Sequence, residues 1–100
     1  MIKIDYLFDN NNFNFRSTGH AYYDVKGKDI VCSAVSSIII GALNALDNTE
    51  NYDIKIKSGD VSINAINITS HDQIVFETMI IQLQTVESEF KENLKVIRRE

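Results

Sequence analysis

The stretch GHAYYDVKGKDIVC, residues 19–32, holds the only cysteine of the chain, twelve positions after one of its two histidines. A thiol and an imidazole can act as nucleophile and general base, provided the fold sets them within hydrogen-bond reach. Asp29 stands three residues before Cys32, the place of a helix N-cap, so Cys32 is expected in the first turn of a helix. There the unpaired backbone N–H groups and the positive end of the helix dipole favour a thiolate. The same N–H groups could receive the oxyanion of a tetrahedral intermediate. His20 falls where a preceding strand should end, and Gly27, between Lys26 and Lys28, lets the chain turn the imidazole back toward the sulfur.

Each of these residues also has a plainer role. Free cysteine is among the most buried residue types, so by pattern alone Cys32 reads more readily as an inert core thiol. Asp29 reads as a helix cap and nothing more. Ser36, one turn beyond Cys32, fits a small packing or back-bonding residue. His71 fits a solvated position early in a second helix, and Tyr22 and Tyr23 fit either substrate contacts or covers over a core edge. No zinc-ligand spacing is present, so the chemistry is expected to need neither metal nor cofactor.

The elements that must position this pair follow from periodicity. Ile2, Ile4, Tyr6 and Phe8 share one parity, Asp9-Asn10-Asn11-Asn12 reads as a turn, and Phe13 and Phe15 resume the alternation, predicting a hairpin over residues 2–19. From Asp29 to about Asp47 apolar residues recur at helical spacing, and Ile39, Ile40 and Leu43 widen the stripe. A helix so apolar is expected to be buried on more than one side. Tyr52–Lys57 and Val61–Ala65 alternate around Ser58-Gly59-Asp60 as a second hairpin, with a bulge near Ala65 to bring Ile66 and Ile68 to the core side. Ser70 with Gln73 matches a capping box ahead of a long amphipathic helix carrying Phe76, Met79, Ile80, Leu83, Val86, Phe90 and Leu94. The tail Lys95–Arg98 is either a frayed helix end or a short fifth strand. The expected fold is therefore α+β: a two-layer sandwich with an antiparallel sheet of two hairpins, a possible fifth strand, and two covering helices.

One hundred residues suit one domain, residues 1–100, with a single core. The N-terminus MIKIDYLF alternates in polarity, unlike a signal peptide, and is too short to cross a bilayer. A lone cysteine forms no internal disulfide, which fits a cytoplasmic protein. The net charge of −4 and scattered basic residues argue against direct nucleic-acid binding.

Gly19-His20-Ala21-Tyr22, then Gly27, Asp29-Ile30-Val31-Cys32 and Ala34-Val35-Ser36, closely resemble the signature of the bacterial ribosomal-processing cysteine protease family, Prp. Met79 to Phe90, with Leu83-Gln84-Thr85 followed by acidic residues, is similar to that family's second helix, so the likeness runs through nearly the whole chain. The resemblance implies a cysteine endopeptidase that removes a short N-terminal extension from the precursor of large ribosomal subunit protein twenty-seven, freeing the tail that reaches the peptidyl-transferase centre. It makes Cys32 the nucleophile and His20 the general base, with Asp29 in support and Gly19 and Ser36 at further recurrent positions. It also implies a homodimer and a mobile segment over residues 21–28. The family's substrate extension ends in paired phenylalanines, so an apolar groove is expected, with Tyr22 and Tyr23 as candidate walls. Ser33, where the family commonly has alanine or glycine, and the bulky run Tyr22–Lys26 depart from the pattern and bear on substrate fit.

Two other readings use the same residues. One is a non-catalytic dimeric module that binds a ribosomal protein or assembly intermediate, with Cys32 merely packed. The other is a thiol-dependent acyl hydrolase acting on a small thioester, which requires a compact pocket in place of an extended groove.

Overall fold

A computed structural model describes residues 1–100 as β1 (Ile2–Asp9), β2 (Asn12–Thr18), α1 (Ile30–Asn44), β3 (Tyr52–Lys57), β4 (Asp60–Ala65), α2 (Ser70–Glu89) and β5 (Leu94–Arg98). The β1–β2 turn is a two-residue loop in which Asn10 and Asn11 both take positive φ, 48° and 63°. That conformation suits asparagine, and its twist matches the strands it joins. Pairing Tyr6 opposite Phe15 and Phe8 opposite Phe13 puts the aromatic residues of both strands on one face.

The sheet runs β3-β4-β2-β1-β5. Ile4 of β1, Phe13 and Phe15 of β2 and Ile63 and Ala65 of β4 are buried beneath the helices. α1 contributes Val31, Val35 and Ile39, four residues apart and so on one stripe, and α2 contributes Phe76, Met79, Ile80 and Leu83. The rings of Phe13 and Phe76 stack at 4.3 Å, fastening α2 to the middle of the sheet. The expected α+β two-layer class is the observed one. The sheet is mixed, however, because β5 pairs parallel to β1, with Ile4 opposite Val96. α2 has 20 residues and returns the chain about 30 Å. β5 therefore starts at the end of the sheet where β1 starts, and the Ile2 N–H donates to the Asn93 carbonyl at 2.9 Å.

Three local expectations are corrected. No bulge brings Ile66 inward: β4 ends at Ala65, Asn67 turns the chain at φ 52°, Ile66 is exposed and only Ile68 returns to the core. The cap of α2 is Thr69, not Ser70; its side chain accepts from the Asp72 N–H, while the Gln73 amide donates to Glu77 at 3.0 Å. α1 is buried along one stripe, and Ile40 on another side is exposed at the wall of a cleft. That cleft accounts for a helix more apolar than its core contacts require. No helix is long and apolar enough to cross a membrane.

Candidate active site

The head of α1 is organised by Asp29. Its extended backbone, φ −79° and ψ 100°, lets the side chain fold over the first turn, where Oδ1 accepts from the Cys32 N–H at 2.9 Å. Oδ2 accepts from the N–H of Tyr23 at 2.9 Å and of Asp24 at 3.5 Å. Burial by itself would raise the carboxyl's pKa, but the N–H groups of Cys32, Tyr23 and Asp24 and the Cys32 thiol all favour the charged form and hold it below its ordinary 3.8. Asp29 is therefore a cap that also ties the loop over residues 21–28 to the helix. It makes no hydrogen bond to His20. Of the first-turn N–H groups, Asp29 takes that of Cys32, whereas those of Ile30 and Val31 have no protein acceptor.

Cys32 is the third residue of α1 and half-buried, with its inner side packed against the core. Its Sγ accepts from the Ala21 N–H at 3.5 Å. Ala21 itself is buried, and its carbonyl accepts from Asn93. The sulfur is thus neither sealed in hydrocarbon nor freely solvated.

His20 follows the end of β2 and is exposed. Its imidazole lies over Gly59 in the β3–β4 turn, where an added Cβ would stand 2.6 Å from Nε2. The Tyr22 ring meets it edge-on at 5.9 Å between centroids. Gly19 sets the approach: its N–H donates to the Gly59 carbonyl at 2.9 Å, its φ is +92°, and any side chain there would collide with the Met1 carbonyl oxygen. His20 and Cys32 make no hydrogen bond to each other, but both line one cleft of about 620 Å³. Catalytic hydrogen bonds are often long in an unliganded site and tighten when substrate arrives.

The cleft is bounded by the loop over residues 21–28, by α1 and by the β3–β4 turn. Ser36 lines it one turn beyond Cys32 and is exposed, as is Tyr22, whose φ of 55° is unusual for a bulky residue. Tyr23 is not among the lining residues; its ring packs edge-on against Phe90 at 5.3 Å. Val35, Ile39, Ile40, Ile56 and Val61 make one part of the wall apolar. The sequence marked Ser58-Gly59-Asp60 as a turn but contained no sign that it would lie beneath His20. Nor did it single out Asn93.

Away from the cleft, Asp47, His71 and Asp72 bring possible ligand atoms within 4.8 Å of one another. His71 and Asp72 are already engaged. His71 Nε2 donates to the Ala45 carbonyl at 2.8 Å, and the buried Asp72 accepts from the Asp47 N–H at 2.9 Å and the Tyr52 hydroxyl at 2.6 Å. Burial and the hydrogen bond to Asp72 push the Tyr52 hydroxyl up to about 12. The cluster holds the end of α1, the start of β3 and the head of α2 together, so His71 is more than the solvated residue expected.

A family model described as cysteine protease Prp matches residues 1–95. The ribosomal processing cysteine protease Prp of Staphylococcus aureus is 32% identical over 83 residues, 78% of each chain. A crystal structure of the essential ribosomal processing protease Prp from S. aureus with a covalently linked product peptide superposes with a TM-score of 0.90 at 28% identity, over 99% of this chain and 100% of that one. The same S. aureus protease in complex with a substrate peptide gives 0.84 at 27% identity, with the same coverage. With its fold shared end to end with a peptide-bound protease and its sequence matched through residue 95, this chain belongs to the cysteine protease Prp family.

Proposed function

We propose that this cysteine protease removes the short N-terminal extension from the precursor of large ribosomal subunit protein twenty-seven, with Cys32 as nucleophile and His20 as general base and acid. The observation that carries this is the single cleft lined by both the chain's only thiol, at the head of α1, and an imidazole seated on Gly59. His20 takes the thiol proton, and the Cys32 thiolate attacks the scissile carbonyl to form a tetrahedral adduct. The C–N bond then breaks as His20 returns the proton to the departing amine, leaving a thioester on Cys32. Water, deprotonated by His20, attacks that thioester and releases the acid product with the thiol restored.

Asp29 supports the site by fixing Cys32 and the loop, Gly19 by letting the chain pass Met1, and Ser36 by presenting a polar wall. Tyr22 is the tyrosine suited to touch substrate; Tyr23 would act through its hold on Phe90. Opening of the segment over residues 21–28 would admit the peptide, while His20 works from its place over Gly59. The open, partly apolar cleft of about 620 Å³ suits a peptide better than a small thioester, which calls for a compact pocket. The relatives named as ribosomal processing proteases, one with a substrate peptide, support the same reading. The enzyme would act in the cytoplasm as a homodimer formed from one domain, without metal or cofactor.

The decisive experiment mixes the protein with its host's precursor ribosomal protein and sequences the product's N-terminus. A shortened product is expected from the wild type and none from Cys32→Ala or His20→Ala. Cleavage that survives Cys32→Ala would end the nucleophile assignment.

A further inference from the structure

Asn93 closes the turn between α2 and β5, and its backbone serves the fold. The Asn93 N–H donates to the Phe90 carbonyl at 2.9 Å, and its carbonyl accepts from the Ile2 N–H at 2.9 Å. Both bonds survive any change of side chain, and Asn93 is not among the residues with positive φ that favour asparagine for its backbone. Its side chain has a different destination. Nδ2 donates to the carbonyl of Ala21 at 3.1 Å, 72 positions away in the chain. Ala21 is buried, and its own N–H is the group that donates to Cys32 Sγ at 3.5 Å.

We infer that Asn93 is a positioning residue for the reaction: by gripping the Ala21 carbonyl it holds the Ala21 N–H on the Cys32 sulfur and stabilises the thiolate. The inference rests on Cys32 being the nucleophile. A buried carbonyl that loses its donor must find another, and the simplest way for Ala21 to do so is to turn toward water. The Ala21 carbonyl lies in the peptide unit shared with Tyr22 and its N–H in the unit shared with His20, so it is displacement of the Ala21 Cα common to both that carries the N–H off the sulfur. The contact between Tyr23 and Phe90 anchors the same loop to the same junction, but through a ring that reaches neither the sulfur nor the imidazole. The other charged and titratable groups that line the cleft with the sulfur are His20, Tyr22, Asp24, Lys26 and Asp29 on its own side and Lys57 and Asp60 across it. Substitution at Asn93 alters none of them.

The test compares the full-length chain with Asn93→Leu, which keeps the branching at Cγ and has no donor, and Asn93→Asp, which keeps the shape but replaces the donor by an acceptor. The second-order rate of Cys32 alkylation by iodoacetamide is followed across the pH range in which thiols ionise, beside a thermal melt. Both variants should melt cooperatively and react roughly fivefold more slowly at neutral pH, the factor expected for one lost hydrogen bond. Their inflection should lie at higher pH, and their rates should meet the wild type's where every thiol is ionised. The neutral leucine variant separates this effect from the new charge of the aspartate. Profiles that superpose on the wild type, or that slow equally at every pH, would overturn the role. So would two unfolded variants, since the side chain would then belong to the fold. A wild-type Cys32 inert at every pH would remove the nucleophile proposal and this inference together, whereas a reactive wild type with unmoved variants removes only the inference.

Discussion

Gly59→Ala tests whether the imidazole's seat matters. An alanine Cβ would stand 2.6 Å from His20 Nε2 and 2.9 Å from Cε1. Ordinary contact needs roughly 3.5 Å, so the ring must withdraw by about 0.9 Å. Misplacing a catalytic group by about 1 Å costs on the order of a hundredfold in rate. The substitution has a separate backbone cost, because Gly59 sits at φ +72°, where an L-residue is disfavoured by roughly 1–2 kcal/mol. For a chain of 100 residues that corresponds to a Tm lower by roughly 4–16 °C. Gly59→Asn separates the two effects: asparagine tolerates the left-handed backbone but carries the same Cβ. Cleavage of the precursor ribosomal protein, measured well below either Tm, should show kcat reduced about a hundredfold in both variants with KM little changed, while Tm falls less in the asparagine variant. Wild-type kcat in either folded variant would refute the idea that His20 works from its place over Gly59.

Other consequences follow from individual contacts. Asp29→Ala should destabilise the protein by about 1 kcal/mol and loosen the segment over residues 21–28 in hydrogen exchange. Because the Asp29 carboxyl is held below 3.8, the wild type's advantage over this variant should be complete above that pH and fade as pH falls through the folded-state value, as read from Tm against pH. The pKa of His71 is raised above 6.5 first by its bond to the Ala45 carbonyl and then by Asp47 and Asp72, with burial acting the other way. Its contribution should therefore be present below pH 6.5 and lost as pH rises through the raised value, a slope that His71→Asn should remove from the Tm profile. Tyr52→Phe deletes the 2.6 Å hydrogen bond to the buried Asp72 carboxylate and should cost about 1–3 kcal/mol in urea denaturation.

The parts of this fold that the sequence made legible are those governed by neighbours in the chain. The two-residue turn at Asn10-Asn11, the alternation of Ile2, Ile4 and Tyr6, and the Asp29 cap on the Cys32 N–H each involve residues no more than a few positions apart. Local sterics and side-chain reach decide them. The capping error at α2 has the same scale: Thr69 and Ser70 can both cap, and the choice of Thr69 left the next positions to bury Asp72 beneath Tyr52.

By itself the sequence determined the two hairpins, the helix that carries Cys32 at its head and the glycine-histidine step that ends β2. Tertiary structure alone decided that β5 runs parallel to β1, that Gly59 lies beneath His20, that Tyr23 turns to Phe90, and that Asn93 reaches Ala21. Periodicity reports which face of an element is apolar but not which element will cover it. Contacts between residues tens of positions apart arise only when the whole core packs at once.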